Sequence, residues 1–415
     1  MNTYTKSREA FARAMKVIPS GVYGHQGPAE GCFIPVDAFP MFSERAKGSY
    51  FWDVDGNRFI DYMCAYGPNV LGYGDPDVDE AARKQRELGD CVTAPSTRMI
   101  DFAELLVDTV NCADWAFFAK NGNDVTTLAV LTARAYTHKK KIVFFKGYYH
   151  GVSPWTQKVD YAGILEEDVC NNLYVDWNNF DQLQQVFVEN RDQIAGVIAQ
   201  PYMHGNFRDN ELPAPGFWEK VRKLCTENDA VLIVDDVRAG FRLDLAGSDH
   251  YYGFQADLIC FCKALANGYN VSALCGQDFL KNAVSSLTYT GSYWLSAVPF
   301  AAGVACIEKM KRLDLPRLLR EKGEALRSGL LGAAARQGFD LHVTGEPALF
   351  YLRIADDPTL ALHQEWVAEC VRRGVYFTNH HNHFLNASLT DADIAETVAV
   401  AEEAFEAVRK RHPKE

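Results

Sequence analysis

A chain of 415 residues exceeds what a single hydrophobic core organises, so two or three domains are expected. An apolar fraction of 48% beside 23% charged residues is that of a globular protein and argues against extensive disorder. The net charge of −12 leaves no basic excess to displace counterions from nucleic acid or to meet anionic lipid, so any phosphate must be held by a local site.

The first residues, Met1 to Arg8, lack the apolar core of a secretory signal, and no window has the length of a membrane helix. Eleven cysteines form no framework, and Cys260 and Cys262 alternate along one strand and so face opposite ways, which argues against zinc. The thiols read as small buried hydrophobes in a reducing cytoplasm. Between residues 4 and 18, Phe11, Ala14, Met15 and Ile18 recur at helical spacing, and Pro19-Ser20-Gly21 stops the helix. Ser49 to Tyr62 reads as two strand pieces about Asp55-Gly56-Asn57, a hairpin signal. Tyr66 to Gly74, rich in glycine and aromatics, reads as a loop able to line a pocket. Helical periodicity returns near 78–89 and 100–111.

From Trp115 the pattern becomes strand (115–119), turn (121–124), helix through Arg134 and strand (142–145). Further strands follow at 194–199 and 231–234, with helices between them. This alternation predicts a mostly parallel sheet with helices on both faces. Beyond Gly303 long amphipathic helices take over, followed by short strands at 348–354 and 375–377 and a final helix from Asp391 to about Arg409. The change predicts an α/β large domain, residues 66–305, and a smaller α+β domain built from both chain ends, 1–65 and 306–415.

Chemistry concentrates at the ends of two apolar runs. Val231 to Val234 stops on Asp235 and Asp236, and Leu258 to Cys262 stops on Lys263, so neighbouring strands would bring an acid and an amine to one sheet edge. That pair suits pyridoxal 5′-phosphate, whose aldehyde needs a lysine and whose pyridine nitrogen needs an acid. The turn Asn121-Gly122-Asn123 opens a helix and offers backbone N–H groups to a phosphate. The aromatic run Tyr148-Tyr149-His150 follows another strand end, where a ring can stack on a flat cofactor.

Taken in order, these motifs resemble the class III aminotransferases, especially their glutamate-1-semialdehyde aminomutase-like branch. The likeness spans nearly the whole chain: Ala46 to Arg58 with Ile60-Asp61-Tyr62 and Gly67-Pro68, Asn121 to Asp124, Tyr149-His150-Gly151, Val234 to Val237 with Gly240-Phe241-Arg242, and Lys263 with Gly268 and Ala273. The resemblance implies the fold type I architecture of PLP-dependent transferases, a homodimer with sites at the interface, and a ping-pong transaminase. It makes Lys263 the Schiff-base lysine and proton carrier, and Asp235 the partner of the ring nitrogen. Gly122 and Asn123 become the phosphate cradle, with Tyr149, His150 and Val237 beside the ring. A family threonine reaches the phosphate from the neighbouring subunit. A gapless match puts Trp294 there, which leaves Thr290 or Ser292.

Departures from the family pattern bear on substrate. Neither Ser20 to Gly27 nor Tyr376 to Phe384 holds an arginine where the family binds a carboxylate, whereas Arg238 follows Val237. Arg238 therefore stands either as the receptor of a keto-acid carboxylate or as a clamp on Asp236. Tyr66 and Tyr23 are candidate pocket walls, which would favour a bulky or apolar amine donor. The chain also resembles bacterial transaminases that act on fumonisin-type amino-polyols with pyruvate as acceptor. An aminomutase or racemase on the same cofactor, and an inactive binding protein of the same fold, are the alternatives. His380, His381 and His383 lie close together, but no carboxylate or thiol is interleaved to finish a metal site, so no metal is expected and the segment reads as a polar pocket wall or solvated loop.

Overall fold

The computed structural model describes residues 1–22 and 36–413. The chain forms two compact units. One comprises Met1–Asp75, Gly205–Glu211 and Arg317–Glu415; the other comprises Pro76–His204 and Leu212–Pro316. The sequence boundaries at 65/66 and 305/306 thus compare with breaks after Asp75 and Pro316. The loop before Asp75 stays with the chain-end unit because Gly48 and Tyr73 exchange backbone hydrogen bonds. The helix Ala297–Leu313 stays with the central unit because Phe300 packs on Phe102 and Phe118.

The chain-end unit begins with helix α1 (Thr5–Ala14), which starts one residue later and ends four residues earlier than the apolar spacing suggests. Strands β1 (Ser43–Lys47), β2 (Tyr50–Asp53) and β3 (Arg58–Asp61) form an antiparallel meander. The expected hairpin is present: Asp53 Oδ1 accepts the N–H groups of Asp55 and Asn57, and Gly56 takes the left-handed φ of 90°. Residues Val375–Tyr376, from the far end of the chain, pair in parallel with β3, so both termini share one sheet.

In the central unit, helices α2 (Pro76–Leu88) and α3 (Arg98–Thr109) precede strand β4 (Trp115–Ala119), helix α4 (Gly122–Thr137) and strand β5 (Lys141–Phe145). Strands β6 (Asn172–Val175), β7 (Ile194–Ala199), β8 (Val231–Asp235), β9 (Leu258–Phe261) and β10 (Ser272–Gly276) complete a seven-stranded sheet of order β4-β10-β9-β8-β7-β5-β6. Only β10 runs against its neighbours. Helices cover both faces, and β5 shows how. Phe144 joins Val125, Leu128 and Ala129 of α4 on one side, while Phe145 meets Phe217 and Trp177 on the other. Burial on both faces is why these strands read as unbroken apolar runs. Strands β6 and β10 escaped the sequence reading, because β6 is a half-exposed edge strand and β10 consists mainly of small residues.

Back in the chain-end unit, strands β11 (Leu341–Glu346), β12 (Leu349–Ile354), β13 (the Val375–Tyr376 pair already described) and β14 (His383–Phe384) lead to the last helix, Asp391–Arg411. Thr390 caps that helix: its Oγ1 accepts the Asp393 N–H at 3.1 Å, and Asp393 Oδ2 accepts the Thr390 N–H at 2.7 Å. His380 and His383 are buried, so their segment is not a solvated loop, and Nε2 of His383 accepts the N–H of Thr378 at 3.0 Å. Among the described cysteines none is in a disulfide, and Cys91 and Cys170 are exposed. The expectation of uniformly buried thiols therefore needs correcting for these two, which stand on surface segments, and for the partly buried Cys262.

Candidate active site

The sheet register brings the acid and the amine together. Asp235 ends β8 opposite Cys260 of the adjacent parallel strand β9, and Lys263 follows three residues later at the same edge. Asp235 is 4% exposed, and both of its oxygens are engaged. Oδ2 bonds to Nδ1 of His150 at 2.6 Å, and Oδ1 accepts the N–H of Val237 at 3.1 Å. A carboxylate has about four lone-pair sites, so each oxygen retains capacity for a further donor. His150 is therefore a partner of Asp235, with Tyr148 stacked on its other side at 5.1 Å.

Lys263 opens a short 3-10 turn with φ 44°, a strained backbone for a residue with a Cβ. Burial and then the nearby Arg238 guanidinium bring its amine down to about 7, against the weaker pull of Asp235. Arg238 is itself desolvated, and Tyr202, Asp235 and Tyr149 supply the compensating field. Asp236 is directed elsewhere: Ser248 donates to it from its backbone N–H at 2.9 Å and from its hydroxyl at 2.6 Å. Burial raises its carboxyl to about 7. Ser248 thus reaches both oxygens of Asp236, while the charges acting on Arg238 are those of Tyr202, Asp235 and Tyr149.

The strand-to-helix turn is built as a cradle. Gly122 and Asn123 open the sixteen-residue helix α4, where first-turn N–H groups have no carbonyl a turn earlier to bond and the helix dipole is positive. Asp124 turns back to accept the N–H groups of Lys120 and Asn121 at 3.1 and 2.8 Å. A Cβ at position 122 would lie 2.8 Å from Val237 Cγ1, so only glycine lets the turn approach the Asp235–Val237 segment. The Asn123 side chain has its own task, accepting the N–H groups of Val152 and Ser153 at 2.8 Å each. Thr126 donates to the His150 carbonyl at 2.7 Å, so α4 anchors the loop that delivers Tyr149 and His150. Tyr149 is half exposed, and the charges of Arg238 and Asp235 act on its hydroxyl.

The remaining candidates are placed differently. Thr290 and Ser292 stand on an exposed loop, where the Ser292 carbonyl accepts the Cys91 thiol, and Trp294 packs edge-on against Phe117. Tyr66 belongs to the chain-end unit, where its ring meets His381 at 5.2 Å. Tyr23 lies outside the described residues. Sequence reasoning missed His204, which follows β7 at the sheet edge and sits where Arg238, Lys263 and His150 all act on it. No periodicity or motif marks it.

A carboxylate for a pyridine nitrogen, an amine of lowered basicity for an aldehyde and a glycine-gated helix terminus for a phosphate together fit pyridoxal 5′-phosphate. The comparisons agree. The family model described as "Aminotransferase class-III" matches residues 34–404. An aminopentol aminotransferase of Sphingopyxis macrogoltabida is 41% identical over 97% of this chain and 94% of its own length. A glutamate-1-semialdehyde 2,1-aminomutase of Heliobacterium modesticaldum is 30% identical over 99% of each chain. Among solved structures, the PLP internal aldimine form of the FumI protein of Sphingopyxis sp. MTA144 superposes with a TM-score of 0.94 at 41% identity, covering 98% of this chain and 97% of the other.

Proposed function

Because this chain belongs to the class III aminotransferases and is PLP-dependent, we propose that it moves the amino group of a bulky or long-chain hydroxylated amine onto a keto acid such as pyruvate, in two successive half-reactions. The convergence of Asp235, Lys263 and Arg238 at one sheet edge carries this reading. The likeness to an aminopentol aminotransferase supports the choice of donor. When bound, the cofactor supplies an aldehyde that takes up the amine and a ring that accepts the electrons of the breaking C–H bond. Lys263 holds that aldehyde and, once displaced, takes and returns the proton at the substrate carbon, a task suited to an amine near 7. Asp235, oriented by His150 and Val237, keeps a proton on the ring nitrogen. The first turn of α4 would hold the phosphate, and Tyr149 and Val237 would contact the ring. Arg238 receives the carboxylate of the keto acid by paired, charge-assisted hydrogen bonds.

The working form is a homodimer in the cytoplasm. Leu88, Val92, Ile100, Tyr293 and Leu295 expose apolar side chains on segments joined by the Cys91–Ser292 and Ser296–Asp90 hydrogen bonds, a patch suited to a second copy. Thr290 or Ser292 on that patch then serves the phosphate of the facing site. Free thiols support the compartment, and no helix among the described residues is long and apolar enough to cross a membrane. The test is a screen of amines with pyruvate. A long-chain amino-polyol is expected to bleach the visible cofactor band, pyruvate to restore it with formation of alanine, and Lys263→Ala to lose both effects. Isomerisation of a single amino aldehyde without alanine formation would instead favour an aminomutase.

A further inference from the structure

Lys120 leaves strand β4 immediately before Asn121, the residue that caps α4, and Gly122. Its backbone is fixed from two sides. The N–H donates to Asp124 Oδ2 at 3.1 Å, beside the N–H of Asn121, and the carbonyl accepts the thiol of Cys262, the neighbour of Lys263, at 3.8 Å. The residue is 8% exposed, and Nζ is buried with no hydrogen-bond partner among the described residues. Buried charges are otherwise paired, because an isolated one costs far more than a neutral polar group. Asp90 acts on the amine through space, but its Oδ1 accepts from the Ser296 hydroxyl and from the Val298 N–H at 3.0 Å. A phosphate monoester seated on the first turn of α4 would bring a charge of about −1.5 to −2 to this edge of the sheet. The N–H groups of a helix terminus offset about half a charge, and the Asp124 carboxylate stands beside them. The turn therefore needs a full positive charge, and Lys120 holds one that needs a partner.

We infer that Lys120 is a cofactor-binding residue, its ammonium the counter-charge of the phosphate held by the first turn of α4. The inference rests on the assignment of that turn to the phosphate and is independent of the amine donor.

The test measures, on the full-length protein freed of cofactor, the dissociation constants of pyridoxal 5′-phosphate and of unphosphorylated pyridoxal. The wild-type protein should prefer the phosphorylated form. Lys120→Met, which keeps an unbranched stem without the charge, should lower that preference about tenfold or more, the usual weight of a charge-assisted hydrogen bond, and leave pyridoxal binding unchanged. Lys120→Arg, which keeps the charge, should restore part of the preference. Thermal unfolding gives a second readout. Without cofactor Lys120→Met should be the more stable protein, because a buried unpaired charge has been removed, and added cofactor should raise its midpoint less than that of the wild-type protein. Equal weakening of both ligands would overturn the assignment in favour of a packing role. An unchanged preference would overturn it as well, and weaker self-association of the variant would then give Lys120 to a carboxylate of a second copy. A wild-type protein that binds both compounds equally would overturn the phosphate cradle itself.

Discussion

Lys263 and Arg238 form a coupled pair across the site, and their coupling has a measurable sign. The Lys263 amine lies at about 7 because burial and the Arg238 guanidinium both disfavour its protonated form. Deprotonation on raising the pH through that value makes it a nucleophile, so attachment of added cofactor to the apoenzyme should accelerate with a midpoint near 7, far below the 10.5 of an ordinary lysine. Arg238→Met removes one of the two lowering causes and should move the midpoint upward. The pH dependence of the rate at which the visible band appears measures both. An unmoved midpoint would assign the whole depression to burial. The same variant therefore separates the effect of Arg238 on the basicity of Lys263 from its proposed role in receiving an acceptor carboxylate.

At the scale of elements, α4 holds the site through two different surfaces of its first turn. Its N–H groups are those proposed to hold the phosphate, while Asn123 and Thr126 hold the loop that carries Tyr149 and His150. Gly151 lies in that loop at φ 113°, and a Cβ there would stand 2.4 Å from Asn123 Oδ1. Gly151→Ala therefore combines backbone strain with loss of the Asn123 anchor, and should cost about 1–3 kcal/mol. Gly163 provides the comparison, since it has φ 84° with nothing within 4 Å of an added Cβ. Thermal unfolding should show both variants weakened, while the cofactor dissociation constant should rise only for Gly151→Ala. Equal cofactor retention in the two would show that the loop does not depend on Asn123.

At the scale of the whole molecule, buried histidines and buried carboxyls respond to pH in opposite senses. In the chain-end unit burial brings His363 to about 4 and His383 to about 3, so both stay neutral in the fold while the unfolded chain protonates them below about 6.5. The unfolded state then binds more protons, and stability falls as the pH drops. In the central unit Asp236, at about 7, keeps a proton that the unfolded chain gives up, so its contribution falls as the pH rises from about 4 to 7. The net curve mixes the two, but a variant separates them. The unfolding free energy of the wild-type protein relative to His363→Phe should decline by about 1.4 kcal/mol per pH unit between pH ~6.5 and ~4. Denaturant titrations across that range measure it, and a flat difference would mean that His363 is charged within the fold.

The sequence by itself determined the mostly parallel sheet and the strand ends that carry Asp235 and Lys263. These features are local: a strand buried on both faces must be an unbroken apolar run, so the polar residue that stops it is visible. The glycine turn at 122 and the hairpin at 55–57 are legible for the same reason, since their backbone shapes restrict residue choice on the spot. Only the tertiary structure decided which partner each polar group takes. That Asp236 bonds Ser248 and that His150 bonds Asp235 follow from which strands lie side by side and in what register. The basicity of Lys263 belongs to the same class, because desolvation and the field of Arg238 exist only once distant segments have closed around the amine.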